Sequence, residues 1–241
     1  MVASQPRYLP SAAYLHRMLL ADVFIYLDTV QYTPRDWENR NRIKSVTGPV
    51  WLTVPVIHQR REQTIIETEI DPAQDWGRRH LRALELNYRL APWFDEVFGL
   101  VEPLLSRRWT MLWELNLAVT DALLGYLGRR AEWIRASALG AEGARGQDLL
   151  IALCGKVQGD LYLSGPLGRN YIEPDRFREA GLGLAFHDYA PARYPQIHGE
   201  FLPNLSAIDL LFSCGRGSLG VIEAGHGGRA ALATADAETA R

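Results

Sequence analysis

Residues 2–28, VASQPRYLPSAAYLHRMLLADVFIYLD, decide the fold. They open with a short strand candidate at 2–4, which runs into the turn Gln5-Pro6-Arg7-Tyr8-Leu9-Pro10. Ser11 then stands where it caps a helix reaching about Ala21. The run Val23-Phe24-Ile25-Tyr26-Leu27, closed by Asp28, is continuously apolar, which suits a strand buried on both faces and hence a parallel sheet covered by helices. The unit reads as β-α-β.

Beyond that unit, residues 41–45 and 50–56 flank Val46-Thr47-Gly48-Pro49 as a predicted hairpin, and the β-branched stretch 64–70 predicts a further strand. From 74 to 128 the spacing turns helical, with Leu81, Leu84 and Tyr88 on one stripe and Leu112, Leu115, Val119 and Leu123 on another. Alternation then returns, with strands at 133–136, 160–164 and 182–188, helices at 144–156 and 173–180, and a last helix over 204–214 capped by Asn204. The predicted fold is α/β, an open, mostly parallel, Rossmann-like sheet with a β-hairpin insertion and an inserted helical block at about 74–128. One domain spans 1–224, and residues 225–241, rich in Gly, Ala and Thr without apolar periodicity, predict a flexible tail.

The 241 residues, 47% hydrophobic and 22% charged, have a globular composition that excludes a disordered or fibrous chain. No apolar run approaches the roughly 18 residues of a membrane helix, and MVASQPRYLP lacks the pattern of a signal peptide, so the expectation is a cytoplasmic protein without membrane contact. Cys154 and Cys214 are the two cysteines, too few for a disulfide scaffold, and neither Cys-x-x-Cys nor paired histidines offer a metal site. A net charge of −2 gives no global attraction for nucleic acid. Among the basic residues only Lys44 and Lys156 are lysine, so a lysine within a polar cluster stands out.

Parallel sheets bind ligands beyond the carboxyl ends of their strands, which directs attention to the segments following each one. The loop after the first strand offers Gln5, Tyr8 and, at its end, His16; the second strand is followed by Asp28 and Gln31. The segment Ser164-Gly165-Pro166-Leu167-Gly168-Arg169-Asn170-Tyr171 has two readings. Either its glycines let Ser164, Gly165, Arg169 and Tyr171 close around a phosphate or carboxylate, or they serve a turn that needs positive φ. It matches neither the Walker nor the Rossmann fingerprint, so no cofactor is indicated. For Arg169 the alternative to ligand contact is an internal pair with Glu173 or Asp175.

His187 follows the penultimate strand and completes this edge. The stretch PRDWENRNRIK, residues 34–44, is either a solvated basic loop or, through Arg40, Asn41 and Lys44, an anion-binding wall; Asp36 and Glu38 dilute it as a nucleic-acid patch. Cys154 is either a small buried hydrophobe or a thioester-forming nucleophile activated by His16 or His187. His58, His80, His198 and His226 read as packing or surface residues, and Asp209 as a second candidate carboxylate.

QPRYLPSAAYLHR, ADVFIYLDTVQY, WENRNRIK with GPVWLTVPV, and YLSGPLGRNYI with FLPNLSAIDLLF together resemble the WbqC-like family, over about 5–218. The family shows Trp and Gly where this chain has Ser11 and Ala13, and Asn where it has Ser213. Its members lie beside polysaccharide and specialised-metabolite genes. With a strand-end site of hydroxyl, amide and cationic groups, the resemblance implies an acyl- or aminoacyl-transferase forming an amide on an amino sugar or small metabolite. In that scheme His16 or Asp28 takes the proton, Cys154 is a conditional nucleophile, and the acyl donor is small or held on a carrier protein. The other reading is a non-catalytic module that holds a glycan precursor, nucleotide sugar or carrier protein. A looser likeness, of architecture alone, is to the nucleotidylyltransferase and pantothenate-synthetase superfamily, whose His-x-Gly-His is replaced here by Ser11, Ala13 and Tyr14.

Overall fold

The computed structural model describes residues 1–141, 143–225 and 232–234. Its elements run β1 (Val2–Ser4), α1 (Ala12–Leu19), β2 (Phe24–Tyr26), β3 (Arg40–Ser45), β4 (Gly48–Thr53), β5 (Val56–Ile57) and β6 (Glu69–Ile70). Three helices follow, α2 (Trp76–Tyr88), α3 (Phe94–Ser106) and α4 (Leu112–Tyr126), and these are the helical block. Then come β7 (Trp133–Arg135), α5 (Gly146–Lys156), β8 (Leu161–Ser164), α6 (Pro174–Glu179), β9 (Gly183–His187), α7 (Ala207–Cys214), α8 (Ser218–Ala224) and β10 (Leu232–Thr234).

The result is a mixed α/β fold of small sheets. β1, β2 and β7 pair in parallel, with Val2 opposite Phe24 and Phe24 opposite Trp133. β8 pairs in parallel with β9, and β10 lies antiparallel on the other edge of β9. The two three-stranded sheets abut at the first residue, where the Met1 ammonium donates to the Leu161 carbonyl at 2.6 Å and the Leu163 amide donates to the Met1 carbonyl at 2.9 Å. β3 with β4, and β5 with β6, form separate antiparallel pairs.

The strict side-chain alternation of a strand explains why the apolar runs of β1 and β2 are continuous. Val2, Phe24 and Tyr26 pack into a large core with α1, the helical block and α7. Ala3, Ile25 and Leu27, the intervening residues, pack into a second core with α5, Tyr162 and Phe177. The strands are therefore sandwiched between two apolar layers, as the sequence of residues 23–27 requires.

Some elements depart from expectation. Residues 64–70 are not one strand: the Glu67 carboxylate accepts from the Thr64 amide at 2.9 Å and its hydroxyl at 2.7 Å, and this capping box closes a 3-10 turn, Ile65–Glu67, before β6. The last long helix starts later than predicted, because Ser206 supplies the cap by accepting from the Ile208 amide, while Asn204 sits at φ +59° in the loop before it. α8 is an addition that the periodicity does not predict. The tail expected over 225–241 falls mostly outside the described residues; Gly225 lies against the Tyr189 ring, and Leu232–Thr234 forms β10.

Candidate functional site

The carboxyl ends of β1, β8 and β9 bring Ser4, Ser164 and His187 to one cleft of about 920 Å³. The loop after β1 contributes Gln5 and Arg7, α1 contributes Tyr14 and Arg17, and the turn after β8 contributes Gly165, Gly168 and Tyr171. Of the residues singled out in the sequence, Gln5, Ser164, Gly165, Tyr171 and His187 line this cleft. His16 stands directly behind the wall.

His16 and His187 meet side chain to side chain. Nδ1 of His16 lies 2.9 Å from Nε2 of His187, both rings are buried, and Tyr189 stacks on His187 at 5.6 Å and lies tilted against His16 at 5.4 Å. One of the two nitrogens must donate and the other accept, so the neutral pair shares one proton at this contact. The two rings are therefore one hydrogen-bonded unit and not two independent histidines.

The cleft also has a cationic wall. Arg17 is only 8% exposed; its Nη2 donates to Ser4 Oγ at 3.1 Å, and its Nε, fully buried, has no hydrogen-bond partner among the described residues. Burial first, and then the neighbouring Arg7, push its pKa below the usual guanidinium value. Both guanidiniums lie beside the Tyr14 ring, at 5.4 Å for Arg7 and 5.9 Å for Arg17. Tyr14 itself is pinned by donating to the Gln5 carbonyl at 2.9 Å.

The two glycines of the turn after β8 are explained by contact and not by turn geometry, since neither has positive φ. A Cβ on Gly165 falls 2.2 Å from Nη1 of Arg17, and one on Gly168 falls 2.0 Å from Oγ of Ser164. The backbone thus approaches Arg17 as closely as a backbone can. Gly165 and Gly168 therefore hold the turn against the cleft's charged wall.

The remaining candidates have other employment. Asp28 accepts from the Ser137 amide at 2.9 Å and hydroxyl at 2.6 Å and pairs with Arg135 at 3.4 Å, which ties the end of β2 to the end of β7. Tyr8 is wholly buried, with its hydroxyl 2.8 Å from Nδ1 of His80, whose Nε2 lies 3.2 Å from the Thr53 carbonyl. Asn41 donates to the carbonyls of Tyr8 and Leu9, at 3.3 and 2.6 Å, fixing a loop in which Leu9 sits at φ +43°. Arg40 stacks over Trp51 at 4.1 Å, and Gln31 is exposed beside Thr64.

Lys44 points into the protein, donating to Gln196 Oε1 and the Glu200 carbonyl. Arg169 pairs with Asp188 at 2.7 Å and stacks on Phe186. Cys154 is wholly buried in the second core, where desolvation pushes its thiol up and away from the reactive thiolate. Among the described residues no cluster of histidine, cysteine and carboxylates is arranged to hold a metal ion, and no helix is long and apolar enough to cross a membrane.

Arg7 and Arg17 are site residues that motif and spacing do not single out. A signal is nonetheless present: Arg17 lies three residues after Tyr14 and beside Met18, on the apolar side of α1, where a solvated arginine has no place.

The family model of the WbqC-like protein family matches residues 5–220. A Mycobacterium tuberculosis H37Rv protein bearing the name "Uncharacterized protein Rv1507c" is 39% identical over 215 residues, covering 88% of this chain and 92% of the relative. No solved structure matches significantly. The matched span takes in α1, the strand ends of β2, β8 and β9, and α7, and with it nearly every residue of the cleft; the chain belongs to the WbqC-like protein family.

Proposed function

We propose that the protein is an enzyme that transfers an acyl or aminoacyl group from an anionic donor to an amine of a sugar or small metabolite. The observation that carries this reading is that His187, hydrogen-bonded to His16, and a buried arginine line one cleft. The two three-stranded sheets, joined through Met1, read as halves of one open, Rossmann-like sheet, and a crevice at its strand ends is where such folds bind ligands.

In this scheme the amine nitrogen attacks the acyl carbon, the tetrahedral intermediate expels the donor's leaving group, and the amine proton passes to the His16–His187 pair. Direct attack on an activated donor suits a cleft in which Cys154 takes no part. The cationic wall stabilises the negative charge that gathers on the leaving group.

The test is product formation, followed by mass spectrometry, from acyl-CoA, acyl phosphate and aminoacyl donors against a panel of amino sugars. His187→Gln and His16→Gln should each lower turnover by about 10²- to 10⁴-fold in folded protein. A second reading is the non-catalytic binding module, and the diversion of Asp28 and Cys154 to structural roles favours it. Ligand binding without turnover for every donor and acceptor pair establishes the module in place of the enzyme.

A further inference from the structure

We propose that Arg17, with Arg7 and the backbone turn at Gly165, forms a site for a phosphoryl group, so that the molecule entering the cleft carries a phosphate or diphosphate. This rests on the reading of the cleft as a substrate site and names the chemistry of what enters it.

A guanidinium cannot escape burial by giving up its proton, so a buried arginine needs an anion or a full set of acceptors. Arg17 has neither within the described protein. Its one side-chain acceptor is the neutral Ser4 hydroxyl, its Nε is unpartnered, and no carboxylate forms an ion pair with it. The neighbouring charge is a second cation, Arg7, which makes the lone burial costlier.

Glu38, Arg40 and Arg42 also keep one buried side-chain atom without a hydrogen bond, but Arg40 and Arg42 are half-buried and stack on Trp51, whereas other deeply buried charges are completed by the chain. Asp28 has Ser137 and Arg135, and Lys44 has Gln196 and Glu200. Three carboxyl groups line or flank the cleft and none pairs with Arg17: Asp188 is taken by Arg169. Asp36 lines the cleft mouth and accepts from the Trp37 amide at 2.8 Å. Glu38 is buried behind Tyr14 and acts on Arg7 and Tyr14 through space, without an ion pair.

The charge and shape of the wall select the ligand. Two guanidiniums beside one ring match a dianion better than a single carboxylate, and their forked donors match phosphate oxygens. The glycine at 165 lets the main chain reach Arg17 itself, and the Ser4 hydroxyl holds one arm of the fork in place. A cleft of about 920 Å³ has room for much more than one phosphate, so the phosphoryl group is one end of a larger substrate.

The experiment is binding, by calorimetry and thermal shift, of inorganic phosphate, pyrophosphate and ADP, with acetate as the carboxylate control. Wild type should bind the phosphates and pyrophosphate in preference to acetate. Arg17→Met should weaken that binding about 10- to 100-fold. Arg7→Gln should weaken it less, and Arg17→Lys, which keeps the charge without the fork, should fall between wild type and Arg17→Met. Turnover of the donor and acceptor panel is read on the same wild-type preparation, so phosphate binding without turnover fails the catalytic reading alone, and absent phosphate binding fails this site. Phosphate binding unchanged in Arg17→Met overturns the proposal, and so does acetate binding as tightly as phosphate. If Arg17→Met does not fold, phosphate binding unchanged in both Arg17→Lys and Arg7→Gln overturns it equally.

Discussion

Two buried cations, Lys44 and Arg17, solve the same problem in opposite ways. Lys44, 2% exposed, donates to Gln196 and the Glu200 carbonyl, and Gln196 in turn donates to Asp209 at 2.9 Å. Asp209 also accepts from Tyr88 and Tyr194, each at 2.7 Å, and Tyr88 accepts from the Lys44 amide at 2.8 Å. Burial pushes the Asp209 carboxyl up, and these donors together with Lys44 oppose it. Arg17, almost as deeply buried, has an unpartnered Nε and a second arginine for a neighbour. A buried charge whose partners all come from the chain supports the fold, whereas one left incomplete is a place where the fold waits for something else.

The contrast is open to attack from several sides. The largest effect should come from the complete network: Asp209→Ala leaves three donors without their acceptor and Lys44 without its nearby counter-charge, and should cost about 3–5 kcal/mol of unfolding free energy in urea titration. A loss under about 1 kcal/mol makes the network decorative.

Next in size is the pH dependence of two buried groups with opposite signs. Glu38 has its pKa pushed up to about 7 by burial, so it holds its proton more tightly when folded. Its contribution is full below its ordinary value of 4.5 and is lost as pH rises through about 7. His80 is pushed down to about 4 by burial; its contribution is present above 6.5 and is lost as pH falls through about 4. The two slopes oppose each other between about pH 4.5 and 6.5. Glu38→Gln should unmask a stability that climbs with pH in that window, by no more than about 3 kcal/mol, and His80→Gln one that declines. Urea midpoints that keep the wild-type slope in Glu38→Gln contradict this assignment.

Asn41→Ala should follow with about 1–3 kcal/mol, since it strips the donors from two buried carbonyls and frees the loop that carries Arg7. Unlike Asp209→Ala, it should also weaken phosphate binding. The smallest effect belongs to Arg169→Ala: its pair with the exposed Asp188 predicts less than about 1 kcal/mol, with phosphate affinity unchanged. A tenfold loss of affinity there moves the anion site from Arg17 to Arg169.

How far the sequence can be read follows the same division between local and distant partners. The β-α-β unit, the helical block and the cleft at the strand ends rest on periodicity and on a rule about parallel strands, both of which act locally. Gln5, Ser164, Gly165, Tyr171 and His187 come to the cleft lining, with His16 beside His187, for that reason. Asn41 and Lys44 look like ligand contacts in the sequence because their true partners lie far along the chain: Asn41 bonds a loop 32 residues back, and Lys44 reaches Gln196, 152 residues on. The Thr64–Glu67 capping box is local, yet β-branched composition masks it as a strand. Arg17 is signalled only by its place on the apolar side of α1, three residues after Tyr14, which no motif or spacing rule picks out.

The most direct measurement is the unfolding free energy of Arg17→Met beside that of Lys44→Met, both in buffer free of phosphate and sulfate. Met keeps the length and apolar contacts of either side chain while removing its charge. Lys44→Met should lose about 1–3 kcal/mol, because it orphans acceptors that the network supplied. Arg17→Met should match wild type or exceed it by about 1 kcal/mol, because the free protein is relieved of an uncompensated charge. If Arg17→Met instead loses as much as Lys44→Met, Arg17 is a structural residue and the cleft has no charge in waiting.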